Sequence, residues 1–380
     1  MVRPLPSKQE TRVRFPPPAP SSDPADWPKP GEAELLDTPF DAQQIYASVG
    51  VTTCQEGATH IGDLKFLKTA AEQERLCLDV AALPLILDVP RYVRECFPSW
   101  SGGTMSIPDT ASEAFGLHDR RLKLGGIKIP TDGSPQGRTA FWTEPVLPTG
   151  PGGEENWRGQ PNLPPEMLNK AVAEIMGKNV PQFVHCNGDA SIDMMIDAAR
   201  LAGVTADQDR RIVIIHSQFM HPDQIAACAE LGLSPIFFTG HRFFQGDVHV
   251  ENTGEAPASF ITPMAAAQAA GLRFSNHCDS SVTAMDPMRM VWSAMTRETR
   301  TGRVLGPDQR VDAWTTLKAL TIDAASQIRE VAGKGTLEVG KLADLVILDA
   351  NPMTAGVRAL MSIAAVETFK DGVSVYKRAG

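Results

Sequence analysis

From Ile45 onward the sequence predicts an α/β fold of the (β/α)8, TIM-type barrel class. Short apolar, β-branched runs alternate with longer segments of helical period, the pattern of a parallel sheet wrapped by helices. The repeat length agrees, since 31 residues separate His185 from His216 and one strand with its helix occupies about 30. Strands are expected at 49–55, 78–85, 124–129, 182–186, 212–216, 234–238 and 273–277, with helices at 63–75, 164–177, 190–202 and 222–231 between them. Pro164, Pro165 and Pro222 stand at helix starts, where a missing N–H costs nothing. Seven strands are one short of a closed barrel; a doubly wound open sheet is the competing arrangement. The Gly- and Pro-rich segment 131–163, with PTGPGG at 148–153, is too long for a connector and is expected over one barrel mouth. Beyond Asp279, helical segments at 287–297 and 313–331 give way to strand-and-turn patterns at 335–352 and 366–378, a small β appendage.

Composition narrows the function. The net charge is −9, from 45 acidic against 36 basic residues, without a basic cluster, which argues against a nucleic-acid partner. The most apolar stretch, 76–89, is broken by Asp79, Pro84 and Asp88 and falls short of the ~18 residues of a membrane span. Six cysteines, at 54, 77, 96, 186, 228 and 278, lack paired spacing, so reduced thiols in a cytoplasmic protein are expected. Of 30 prolines, ten fall in the first forty residues, where they deny helical dihedrals and donors. That arm has no apolar core of a secretory signal. Three segments are therefore expected: a proline-rich disordered arm at 1–44, a barrel at 45–332 and the β appendage at 333–380.

The chemistry-bearing residues sit at strand ends. Lys128 ends one predicted strand, His185 the next and His216 the one after, while Asp279 follows the last. In (β/α)8 enzymes the carboxyl ends of the strands carry the active site. Singly, a strand-end histidine is more often a hydrogen-bonded structural residue; the joint placement of the four favours ligands that would converge on one mouth. Strand alternation refines the set, because neighbours point to opposite faces while i and i+2 share one. If His185 points inward, Cys186 cannot, and Cys278 is excluded beside Asp279 in the same way. His277 shares a face with Asp279 and is a candidate substrate contact or a support behind the ligands. Arg138, after Asp132-Gly133, is a candidate for orienting a substrate carbonyl or carboxylate. His241 lies in an aromatic run with Phe237, Phe238, Phe243 and Phe244 that suits an apolar pocket or plain core packing.

The segments IKIPTDGSPQGRTA, VHCNGDASID, RIVIIHSQF, NHCDSSVTAMDP and GTLEVGKLADLVILDANP resemble the amidohydrolase superfamily, nearest its family 3 branch with the N-substituted formamide deformylase-like proteins. The resemblance implies a metal-bearing (β/α)8 barrel with a small β-sandwich built from both chain ends. It implies that Lys128 is the lysine that carboxylation turns into a metal bridge, that His185 and His216 are metal ligands, and that Asp279 is the aspartate that ligates and moves the proton. One or two divalent ions, zinc foremost, and hydrolysis of an amide-type carbon–nitrogen bond of a small molecule follow. The family's first strand carries a His-x-His pair. Here the histidines stand at 60, 118, 185, 216, 221, 241, 249 and 277, none two apart, so the resemblance implies an N-terminally truncated barrel without its first strand and with only the C-terminal part of the sandwich. A catalytically impaired, non-enzymatic remnant is the alternative. A barrel short of one strand leaves two sheet edges unpaired, so closure by another segment or by a homo-oligomer is expected.

Overall fold

The computed structural model describes residues 32–89 and 115–379. Helix α1 (Glu32–Ala47) occupies the end of the arm that the proline count marks for disorder. Only Pro39 falls inside it, and the buried Gln43 side chain pins it in place: Nε2 donates to Pro39 O at 2.8 Å, and Oε1 accepts from Leu78 N at 2.7 Å. The rest of the arm, residues 1–31, lies outside the described residues, as does Cys96.

After α1 come β1 (Thr53–Thr59), α2 (Ile61–Glu72) and β2 (Asp79–Pro84), a parallel unit. β3 (His118–Asp119) folds antiparallel onto β4 (Leu122–Leu124), which runs parallel to β2. A second parallel sheet follows in chain order, with β5 (Ile127–Pro130), β6 (Gln182–Cys186), β7 (Ile212–His216), β8 (Ser234–Phe237) and β9 (Ser275–Asn276). The two sheets join at Leu85, which bridges to Lys128. β4 and β5 are one strand position bent at Gly125-Gly126, where a Cβ on Gly126 would lie 2.6 Å from Pro181 O. Seven parallel positions therefore succeed one another as the alternation of the sequence predicts, in a barrel-type α/β fold.

Helices α3 (Pro165–Gly177), α4 (Asp189–Leu201) and α5 (Pro222–Leu231) pack outside β5–β8. Between β8 and β9 run α6 (Thr239–Thr253), α7 (Glu255–Phe260) and α8 (Met264–Ala269), which the sequence pattern does not announce. α9 (Pro287–Thr296) follows. The expected helix at 313–331 is two, α10 (Ala313–Leu320) and α11 (Ile322–Gln327), interrupted at Thr321 (φ −125°, ψ −95°). β10 (Leu345–Leu348), β11 (Ala365–Lys370) and β12 (Val373–Lys377) form the antiparallel appendage. Among the described residues no helix is long and apolar enough to cross a membrane.

The core has two layers. Leu83, Phe183, Val213, Ile215 and Ile236 fill the interior of the sheet, while Ile127, Ile129, Val184, Cys186, Ile212 and Ile214 face the helices. At the opposite end from the strand termini, buried charges tie the appendage to the barrel. Asp79 Oδ2, at the start of β2, accepts from Lys334 Nζ at 2.6 Å and Lys370 Nζ at 2.9 Å, and Lys370, wholly buried, also reaches Asp344 at 3.0 Å. Thr368 Oγ1 adds a hydrogen bond to Ala47 O at 2.7 Å.

Removing one member of such a buried cluster strands the others. Asp79→Ala is expected to cost about 3–5 kcal/mol in urea unfolding, whereas Glu144→Ala, which breaks an exposed pair 3.7 Å from Arg158, should stay within about 0.5 kcal/mol. Equal losses for the two variants would contradict the assigned role of the cluster.

Candidate functional site

Parity along the strands decides which side chains reach the mouth. Phe183 points to the sheet interior, so His185, two residues on, does the same, and Cys186 turns to the helices. Ile127 and Ile129 face the helices, which sends Lys128 inward. β7 breaks the rule. Ile212 and Ile214 lie outside while Val213 and Ile215 lie inside, so regular alternation would place His216 outside. Left-handed backbone at His216 (φ 73°) and Ser217 (φ 46°) reverses its direction, and the ring meets His185 edge-on with centroids 4.5 Å apart. Asp279 adopts the same region (φ 50°). Such dihedrals cost a non-glycine residue about 1–3 kcal/mol and collect at functional sites.

Burial governs the ionisation of the group. It pulls the Lys128 ammonium down to about 8, although Asp279 opposes the shift. Burial, reinforced by His185 and His277, holds His216 neutral well below the ordinary imidazole range. His277, its ring centroid 4.9 Å from His216, is pushed down to about 3 by burial and then by Lys128. Its Nε2 is buried without a hydrogen-bond partner. Burial raises the Asp279 carboxyl, with Lys128 and His185 pulling the other way.

The rings of His185, His216 and His277 are in contact, and Lys128 and Asp279 lie near enough to act on each other's charge. Arg138 and His241 are placed otherwise. The Arg138 guanidinium donates from Nη1 to Thr149 O at 2.5 Å. His241 is buried, with Nε2 3.0 Å from Gln136 Oε1 and Nδ1 3.2 Å from His249 Nε2. Arg138 is thus tied to a peptide carbonyl of the loop 131–163, while His241 is tied to the Gln136 side chain and to His249, with its ring 5.0 Å from Phe238. Cys186 and Cys278 are buried thiols, pushed by burial up to about 12 and about 11.

Two residues beside the mouth escaped the sequence reading. Asp132, whose side chain is fully buried, accepts from Gly188 N at 2.8 Å, Asn187 N at 3.0 Å and Phe141 N at 3.1 Å, with Oδ1 3.3 Å from His185 Nε2. Asn187 donates from Nδ2 to Gly133 O at 2.9 Å. The only signal in the sequence is Asp132-Gly133 after a strand, which an ordinary turn produces as well.

Among the described residues no group of three His, Cys, Asp or Glu stands close enough to hold a metal ion. The pair His185 and His216 needs a further donor, since a catalytic centre ordinarily has three protein ligands. Lys128 is that donor in kind: desolvation favours its neutral amine, and a neutral amine takes up carbon dioxide to become a carbamate with two ligating oxygens. The neutral imidazole of His216, with His185 beside it, suits a divalent first-row ion. Without a contribution from Lys128 the donor set is too small for a metal centre.

A parallel barrel with a lysine, imidazoles and a carboxylate at the carboxyl ends of its strands defines the class, a barrel with a candidate metal centre. The chain belongs to the amidohydrolase family, which it matches over residues 23–376. It is 29% identical over 198 residues to an N-substituted formamide deformylase of Arthrobacter pascens, a match that takes in 52% of this chain and 36% of the relative. A metal-dependent hydrolase of Pyrococcus horikoshii, of uncharacterised function, superposes with a TM-score of 0.70 at 20% identity, covering 86% of this chain and 62% of that one. An adenosine deaminase of Xanthomonas campestris, solved with zinc, gives a TM-score of 0.56 at 15% identity over 91% of this chain and 70% of its own. This chain thus spans less than two thirds of the length of the first two relatives.

Stability should follow the buried imidazoles. In the unfolded chain histidine titrates near 6.5, whereas burial lowers His241 to about 4 and His277 to about 3 in the folded protein. Below about pH 6.5 the unfolded state binds the extra protons, so stability falls as pH drops, by up to about 1.4 kcal/mol per pH unit for each such histidine. Thermal melts of metal-free protein should show Tm declining from pH 7 to pH 5, and a flat Tm would contradict this.

Proposed function

We propose that this chain is a metal-dependent hydrolase of carbon–nitrogen bonds other than peptide bonds, acting on a small amide-type substrate. The observation that carries the proposal is the edge-on meeting of His185 and His216, with His216 turned inward by a left-handed backbone and Lys128 and Asp279 near enough to act on each other's charge. Family membership and the deformylase relative support the reaction class. His185, His216 and carboxylated Lys128 would hold one or two divalent ions, and the zinc in the deaminase neighbour supports zinc. A bound divalent ion supplies Lewis acidity, polarising a carbonyl and bringing water to attack near neutral pH.

The residues of the chain perform the remaining work. Asp279, its carboxyl raised by burial, accepts the proton of the attacking water and returns it to the leaving nitrogen as the C–N bond breaks. The buried rings of His216 and Phe238, centroids 6.5 Å apart, keep bulk water from that side of the mouth. His277, between His216 and Phe238, has a free Nε2 for the substrate oxygen.

Purified protein should carry divalent metal and hydrolyse N-substituted formamides or simple amides. His216→Ala should lower metal content and reduce turnover by more than about 100-fold, beyond the 10–100-fold typical of residues that only orient a ligand. Protein that binds no metal at micromolar concentration, with His216→Ala indistinguishable from the parent, would overturn the proposal.

A further inference from the structure

We infer that the buried pair His241 and His249 is a pH-sensitive latch that holds the loop 131–163 against α6 and releases it as the pH falls below neutral. Neither histidine belongs to the candidate metal centre. His241 Nε2 lies 3.0 Å from Gln136 Oε1 in the loop, and His241 Nδ1 lies 3.2 Å from His249 Nε2. Asn252, on the same helix, donates from Nδ2 to Pro135 O at 3.0 Å and accepts at its carbonyl from Leu147 N at 2.8 Å. The His249 ring meets Phe219 edge-on at 5.4 Å, and Phe219 meets Trp142 of the loop at 4.6 Å. His241, His249 and Asn252 are each no more than 5% exposed. The loop is also pinned to α4, where Thr143 N donates to Asp189 Oδ1 at 3.1 Å, so the flank the latch can release is Pro135-Gln136 and Leu147. His241 packs on Phe238, whose ring faces His277, so freeing that flank opens this wall of the mouth to water.

The imidazole chain uses three of its four ring nitrogens, and the fourth, His249 Nδ1, is buried without a partner. Neutral rings satisfy these bonds in either direction. An added proton either meets another N–H head-on or sits on His249 Nδ1 with nothing to accept it. Burial alone pulls His241 down to about 4, and burial followed by His241 holds His249 well below the ordinary imidazole range, with no carboxylate of the described residues acting on either ring. From the loop the pair faces Gln136, which does not titrate. From the ends of β7 and β9, His216 and His277 feel the charge of His241, and burial keeps both neutral. On α6 itself, Arg242 is engaged by Ser293, and Asp247 by Thr299 and Thr301. Nothing in the joint offsets an imidazolium, whereas water does. Once the flank opens, both histidines titrate near 6.5. Below that pH the open state binds protons that the closed state refuses, so closure weakens as pH falls.

Hydrogen exchange of metal-free protein, read by mass spectrometry and corrected for intrinsic exchange rates, tests the latch. From about pH 7 to about pH 5.5 the opening constant should rise about 70-fold for two such histidines and about 8-fold for one. Peptides carrying the Leu147 amide should lose protection by that larger factor, and at both pH values should exchange ahead of the β6 and β7 peptides. His249→Phe keeps an aromatic face on Phe219 and takes up no proton, so the change should shrink to about 8-fold. Loop protection that changes by less than about 2-fold overturns the inference, as does loop exchange that occurs only together with β6 and β7. An undiminished response in His249→Phe overturns it too, because the protons are then taken up elsewhere. The parent measurement decides the matter even where the variant fails to fold.

Discussion

A parallel strand lays alternate side chains on opposite faces, and Lys128 and His185 reach the mouth by that constraint. Phe183, Val213, Ile215 and Ile236 fill the interior, so a polar side chain can enter only at the last inward position before a strand ends. Lys128 and His185 occupy such positions. Placed above a packed apolar interior, the lysine loses its water, and its ammonium weakens to about 8. The same desolvation keeps His216 and His277 neutral. Burial thus brings the lysine closer to its neutral form and moves these imidazoles further from protonation.

The other end of the barrel solves the opposite problem. There Asp79, Lys334 and Lys370 are buried as charges, each with partners within 3.0 Å, and they link β2 to the appendage. Breaking a buried pair is far more costly than building one is favourable, so the cluster fixes how β10–β12 meet the barrel more than it adds stability. Gly50 shows the same closeness, since a Cβ there would stand 2.8 Å from Val346 in β10. One end is thus neutral and receptive, the other charged and closed.

Much of this was legible in the sequence. The order of the parallel strands and the appendage follow from periodicity and turn signals, and the strand-end places of Lys128 and His185 from the same alternation. Alternation turns Cys186 to the helices, where it packs in the core. What escaped depends on geometry that periodicity does not encode. His216 reaches the mouth against its parity, through a left-handed backbone that no residue type in IVIIHSQF announces. Asp132 acts through backbone N–H groups supplied by Phe141, Asn187 and Gly188, which carry no side-chain signature. Arg138, read from its place after Asp132-Gly133, and His241, read from its aromatic run, have partners in Thr149 O and Gln136 that no residue pattern indicates. Helix α1 was masked by the proline count around it, although Gln43 anchors it to Leu78.

The central claim is that Lys128, His185 and His216 form a metal centre at the carboxyl ends of β5, β6 and β7. Anomalous diffraction at the zinc absorption edge, from crystals grown with zinc and bicarbonate, tests it most directly. The account predicts an anomalous peak about 2.0–2.1 Å from imidazole nitrogens of His185 and His216, with density for a carboxylated Lys128 beside it. A peak bound only elsewhere on the protein, or none at that mouth, would contradict it.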